Sequence, residues 1–392
     1  MTAAPLIDRR NVLKLAGGGV LLAATAGIAG CSSELPPEAV AAWNGPGEAG
    51  ADVRRWLLGY AILAPHSHNL QSWTVDLRTP GEITLYCDRT RLLPETDPLS
   101  RQIMMSQGTF VELLDLAAKH KGVRADIELF PQGEFGPREL DARPTARIQL
   151  TADPSVRPDP LFAQIVKRHT NREVYEPRDP EPAALAAIMA ATQGSGIRVG
   201  FAGAAQPELL KRHRQIAAQA WQIELTTPRT VMESYRVLRI GPSEIALHRD
   251  GLSINTPVVR ALAAAGLFDR SKAPAADAMA TTSQLKDFDE KLAATPAFVW
   301  LVTGGNDRKT QVNAGRAYVR AQLAATAYGL AIQPLSQALQ EYPEQARPYA
   351  DIHVLLGAQQ PRETVQMWTR LGYGPAIGPS PRRDVESHVV GS

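Results

Sequence analysis

Cysteine is nearly missing: Cys31 and Cys87 are the only two in 392 residues. That is too few for a disulfide framework or a cysteine zinc site. Net charge is equally slight. Lys and Arg number 42 against 40 Asp and Glu, so no basic field for nucleic acid develops. No long block of one sign occurs either. Neither Gly-x-Ser-x-Gly nor His-Glu-x-x-His is present, which removes the hydrolase elbow and the zincin helix. No Gly-rich dinucleotide fingerprint follows the first thirty residues, and no repeat of short period is visible. The hydrophobic content of 44% is that of an ordinary globular chain, long enough for one large core or two medium ones.

What is present begins with an address. Asp8-Arg9-Arg10-Asn11-Val12-Leu13-Lys14 looks like a twin-arginine export motif, followed by an uncharged, Gly- and Ala-rich run from Leu15 to Gly30. That run is short and weakly apolar for a membrane span. It ends Ile28-Ala29-Gly30-Cys31, similar to a lipobox. Residues 1–31 then form a cleaved export signal, a lipid on Cys31 anchors the chain, and residues 32–50, with Pro36, Pro37, Gly45 and Gly47, form a tether. The alternative is an uncleaved signal anchor with an incidental cysteine. The expected location is the periplasm or cell envelope.

Periodicity then predicts a helix over Val53 to Leu63, a hairpin of strands Trp73 to Leu77 and Glu82 to Cys87, and a long helix from Arg101 to Lys119. Short strands follow at Ala125 to Phe130 and Ala146 to Leu150. A Pro-rich break at Pro154 to Pro160 divides a first half, 51–155, from a second, 156–392. The second half reads as helices over Leu161 to His169, Pro182 to Thr192, Pro207 to Glu224 and Ala314 to Gly329. Strands are expected at Arg198 to Phe201, at the buried run Phe298 to Val302, and at Ile352 to Leu356. Between them, 226–291 has weak periodicity and reads as a lid or a helical embellishment.

Four segments carry chemistry. Lys167-Arg168-His169-Thr170-Asn171-Arg172 sets two guanidiniums and a hydroxyl at alternate positions, a set suited to a phosphate dianion. Its bland reading is a solvated helix end. Ala64 to Trp73 holds Asn69 and Gln71, with Trp73 entering a strand as core. His66 and His68 in this loop lack a third ligand, so no metal is expected. Gln333-Pro334-Leu335-Ser336 follows a helix stopped by Gly329. The tail offers Arg382 and Arg383 after the stiffening Pro379-Ser380-Pro381.

Together these segments resemble the nitroreductase family of flavin mononucleotide (FMN) enzymes, and most closely its duplicated, Acg-like branch, many members of which carry twin-arginine signals. The resemblance implies an α+β fold of two tandem related halves, forming within one chain the dimer that relatives build from two subunits. It implies FMN, with Arg168, Thr170 and Arg172 on the phosphate and Arg382 or Arg383 closing over it. Asn69 and Gln71 would address the ring edge or ribityl chain, and Pro334, Leu335 and Ser336 a ring face. Ser336 stands where relatives often carry an acid. No side chain is named as catalytic, because the flavin carries the chemistry. The implied function is reduction of a small aromatic or quinone-like acceptor by an unidentified electron donor. The competing reading is a protein that binds or sequesters flavin without turnover. A flavin-free scaffold is a third.

Overall fold

The computed structural model describes residues 33–390 apart from 49 and 51; the twin-arginine motif and Cys31 lie outside these. After a nine-residue helix, α1 (Val53–Ala61), come strands β1 (Trp73–Asp76) and β2 (Glu82–Cys87). Helix α2 (Arg101–His120) then leads to β3 (Val123–Leu129) and β4 (Ala146–Ala152). The four strands form an antiparallel sheet in the order β1-β2-β4-β3. Alternation in β2, where Ile83, Leu85 and Cys87 are buried, turns one face onto α2.

The second sheet repeats that plan. After helix α3 (Pro182–Ala191) and strand β5 (Arg198–Ala202), the chain makes a long excursion through α4 (Pro207–Thr226) and α5 (Pro228–Arg236). It continues through β6 (Leu238–Ile240), α6 (Gly241–His248), β7 (Leu252–Ile254), α7 (Pro257–Ala264) and α8 (Met279–Ala293). Then follow β8 (Ala297–Gly304), α9 (Arg308–Ala327), β9 (Ala331–Pro334), α10 (Ala346–Leu355) and β10 (Glu363–Gly372). The strand order β5-β8-β10-β9 matches the first sheet member for member. The excursion occupies the place of the short turn between β1 and β2.

Helices α2 and α9 cross at the centre and bury most of their surface. Each has twenty residues, a buried arginine first (Arg101, Arg308) and a glycine eighth (Gly108, Gly315). A Cβ on Gly108 would lie 1.9 Å from the Val312 carbonyl oxygen, and one on Gly315 1.8 Å from that of Met105. The backbones therefore touch only because both glycines lack a side chain. Beside this contact the buried Glu112 receives Arg316 at 2.8 Å and Arg320 at 2.9 Å.

Several expectations need correction. The segment written as a tether is packed: Pro37–Val40 and Ala41–Asn44 are helical turns, Ala39 and Trp43 are buried, and the Arg382 N–H bonds to the Ala39 carbonyl at 2.8 Å. Ile352 to Leu356 is the end of helix α10, with Val354 75% exposed beside buried Ile352 and His353. A short apolar run does not separate strand from helix. Residues Pro160–Lys167 form a 3-10 helix, started by the Asp159 carboxylate accepting from the Leu161 N–H; Arg168 beyond it is extended.

Candidate functional site

Between the two halves lies a cavity of about 360 Å³, within the range of small-molecule sites. One end is cationic. Thr170 pairs with Ile332 of β9 in a parallel bridge, so the chain from Arg168 to Arg172 runs as a strand would. Alternate side chains then share a side, and Arg168, Thr170 and Arg172 all line the cavity. Asn171 turns away and donates to the Pro375 carbonyl at 2.8 Å. The grouping expected from spacing is present, produced by extended backbone instead of a helix end.

Arg382 joins them from the far end of the sequence. Its Nη2 donates to the Leu63 and Ala64 carbonyls at 3.3 and 3.1 Å, and Arg168 Nη2 reaches the same Leu63 oxygen at 2.9 Å. These oxygens end the helical segment of α1, where the aligned peptide dipoles are negative. The Trp43 ring lies under both guanidiniums, 5.6 Å from Arg168 and 5.0 Å from Arg382. No carboxylate among the described residues pairs with Arg168, Arg172 or Arg382. Burial lowers the Arg168 pKa to about 10 and moves that of Arg382 well below the ordinary value, with Arg168 adding repulsion. Arg172 is exposed yet lines the cavity, and the protein packed around it lowers its pKa too. Arg168 Nε, Arg382 Nε and the Tyr318 hydroxyl are buried without a hydrogen-bond partner. Cations crowded together with open donors fit an anion.

Asn69 also lines the cavity, so it and Arg168, from different halves, face one and the same space. Its Oδ1 accepts from Arg382 at 2.6 Å, while its Nδ2 donates to Pro381 and Gly251 carbonyls. The loop it sits on is strained: His68, Asn69 and Gln71 have φ of 48°, 53° and 54°. Gln71 and Arg383 are not in the lining. They hold each other, the Gln71 side-chain oxygen accepting from the Arg383 N–H at 2.9 Å and Arg383 Nη2 donating to the Gln71 carbonyl at 2.6 Å. That pair fastens the tail to the loop. His66 accepts the Ser72 N–H on Nε2 at 3.0 Å, leaving Nδ1–H for the Ser67 carbonyl at 2.7 Å.

Pro334 and Ser336 line the cavity, whereas Leu335 points into the core and its N–H is bonded to the Trp368 carbonyl at 2.8 Å. Leu335 is therefore not available to a ligand. The excursion covers the opposite wall through Val231, Ser234 and Leu252. It is bonded to the first half: the Gly251 N–H to Asn69 O at 3.0 Å, and the Glu233 carboxylate to the Glu95 and Thr96 N–H groups at 2.8 and 2.9 Å.

Residues that spacing did not single out complete the walls. Arg101, buried, donates to the Gln366 carbonyl and Oε1 at 3.1 Å each and to Leu339 O at 2.5 Å. Gln366 sits where the β8–β10 register slips, a bulge that re-aims its side chain. Tyr318 on α9, and Trp221 and Glu224 on α4, were read only as helix.

No protein-family model matches the chain. A Mycobacterium tuberculosis protein, provisionally named NAD(P)H nitroreductase, is 27% identical over 348 residues, 87% of this chain and 91% of that protein. A Serratia protein, also provisionally named NAD(P)H nitroreductase, is 33% identical over 123 residues, 31% of this chain and 33% of its own. A solved structure of a provisionally named nitroreductase from Anabaena variabilis aligns with TM-score 0.43 at 12% identity, covering 86% of this chain and 91% of that one. The names of the sequence relatives support a likeness of this chain to the nitroreductase family.

Proposed function

We propose that this chain is an exported FMN-binding oxidoreductase of nitroreductase type that reduces a small aromatic or quinone-like acceptor. The observation that carries the reading is the convergence of Arg168, Arg172 and Arg382 on one cavity, none of them ion-paired with a carboxylate among the described residues. Arg168, Thr170, Arg172, Arg382 and Tyr318 would hold the phosphate, and Asn69, Pro334 and Ser336 would meet the rest of the nucleotide. When bound, the flavin supplies acceptance and donation of hydride. The protein's own groups bind it, orient it and keep water out. The relatives named as NAD(P)H nitroreductases make a reduced nicotinamide the first donor to try.

The Arg168→Ala/Arg172→Ala double variant should lose more than nine-tenths of the flavin that wild type retains through purification, with unchanged far-UV circular dichroism. Equal flavin content in the two proteins would remove the phosphate assignment. A second reading, sequestering without turnover, draws support from the bonded cover over the cavity. Anaerobic addition of NADPH separates the two: bleaching of the flavin band means an enzyme, and persistent yellow means storage.

Export rests on Arg9, Arg10 and Cys31. The twin-arginine machinery moves folded proteins, which suits a cofactor loaded beforehand. Cys31→Ala should shift the protein from the membrane to the soluble fraction, and retention in the membrane would favour an uncleaved anchor.

A further inference from the structure

The cavity has a second, chemically distinct end. Trp221 and Glu224 stand three residues apart on α4, hence on one face, and both line the cavity. Glu224 is the one carboxylate among the described lining residues, and it is buried with no cation beside it. Gln340 Nε2 donates to its Oε2 at 2.6 Å, and the Gln337 side chain also bonds to the carboxyl, which has further lone pairs to offer. Thr230 Oγ1 takes care of its backbone carbonyl at 2.7 Å. What remains open is Gln340 Oε1 and the indole N–H of Trp221, both buried without partners. Phe288 packs at 5.3 Å from the Trp221 ring, and Leu225 and Val231 extend the apolar wall.

We propose that this end is a recognition subsite for a flat aromatic ring bearing an amino or hydroxyl hydrogen-bond donor, received by Glu224 and Gln340 Oε1. Aromatic walls fit a ring, and two converging acceptors fit an N–H or O–H group. An anion is disfavoured here. The nearby ionisable groups are Glu233 and Tyr342, and Glu233 pushes the same way as burial, which raises the Glu224 pKa to about 7. A carboxyl held in such surroundings without a counter-charge is costly to the fold, a pattern associated with sites of function. The inference deepens the flavin reading and rests on it, since the ring bound here is taken as that reading's acceptor.

The test uses the full chain as purified, with its flavin and no electron donor, so that no turnover occurs. Dissociation constants for 4-nitroaniline and nitrobenzene, which share a ring and differ by one donor group, are measured by tryptophan fluorescence quenching. Wild type should bind 4-nitroaniline on the order of tenfold tighter, the worth of one hydrogen bond to a buried acceptor. Glu224→Ala should abolish that preference while the flavin absorbance per protein stays the same. Gln340→Ala should reduce it and serves if the first variant fails to fold. Equal affinities in wild type, or a preference that survives both substitutions, overturns the subsite. A colourless wild type sinks the flavin reading instead, so the two failures are distinguishable.

Discussion

At the scale of single residues, the Tyr318 hydroxyl is the most exacting test of the cationic end. It is buried, has no hydrogen-bond partner, and its pKa is raised by burial despite the Arg168 and Arg172 charges beside it. An unpaired buried hydroxyl costs the fold roughly 1–3 kcal/mol, so removing it should not destabilise the flavin-free protein. Tyr318→Phe is expected to leave the unfolding midpoint of that form unchanged or slightly raised, yet to weaken FMN binding about tenfold by titration. A lowered midpoint with undiminished affinity would make the hydroxyl a packing group. Tyr318 was not legible in the sequence because nothing near it is unusual; only the packing of α9 brings it to Arg168. The Arg168, Thr170, Arg172 set was legible because its geometry is local, three alternate positions on one extended segment. Gln71, Leu335 and Arg383 were read too far from the same local patterns. Each has a neighbour from a distant segment that takes its polar groups, and sequence spacing carries no information about such neighbours.

At the scale of elements, the crossing of α2 and α9 sets how far apart the halves sit, and with that the width of the cavity between them. Gly315→Ala would force a methyl to within 1.8 Å of the Met105 carbonyl oxygen, a backbone atom that cannot rotate away. The helices must separate, at a cost of about 3 kcal/mol or more. The variant should unfold at least 5 °C below wild type, and any fraction that folds should lose flavin. Gly50→Ala, whose Cβ would meet nothing within 4 Å, is the matching control. If Gly315→Ala melted like that control, the close approach would not exist in solution. Long amphipathic helices such as α2 and the hairpin β1–β2 were readable from period alone. Strand β10 was not, although it lies at the centre of its sheet. Its buried Thr364, Gln366, Thr369 and Arg370 break the apolar signal, and the last three are tolerated because distant groups receive them, as Gln333 Oε1 receives Arg370 Nε at 2.8 Å. Beyond α4, which its period did announce, the excursion between β5 and β8 stayed unreadable for a related reason: its short elements pack on one another and on the loop around Asn69.

At the scale of the whole molecule, six histidines distributed over both halves are held neutral. Burial lowers His66, His213 and His388 to about 3 and His68, His169 and His353 to about 4. Three of them accept an N–H, which a proton would oppose: His66 from Ser72, His213 from the Trp368 indole and His353 from Val365. A depressed folded pKa means that the unfolded chain binds more protons below the ordinary value near 6.5, so stability present above that pH is lost as pH falls. Four buried acids act in the other direction, Asp115 and Glu233 being raised by burial as well as Asp97 and Glu224. Asp97 and Glu224 are raised by burial to about 6 and 7, so the folded chain binds more protons at those two positions between roughly pH 4 and 7. Six lowered rings against four raised acids leave a net loss. At roughly 1.4 kcal/mol per proton per pH unit, the fold should weaken by on the order of 3 kcal/mol per unit near pH 5, a sizeable part of a typical total stability. The thermal midpoint should therefore fall by about 10 °C or more between pH 6.5 and 5, and His213→Gln should make that decline shallower. A midpoint that stayed level over this interval would mean that these rings are not held neutral, and that water reaches the interior of both halves.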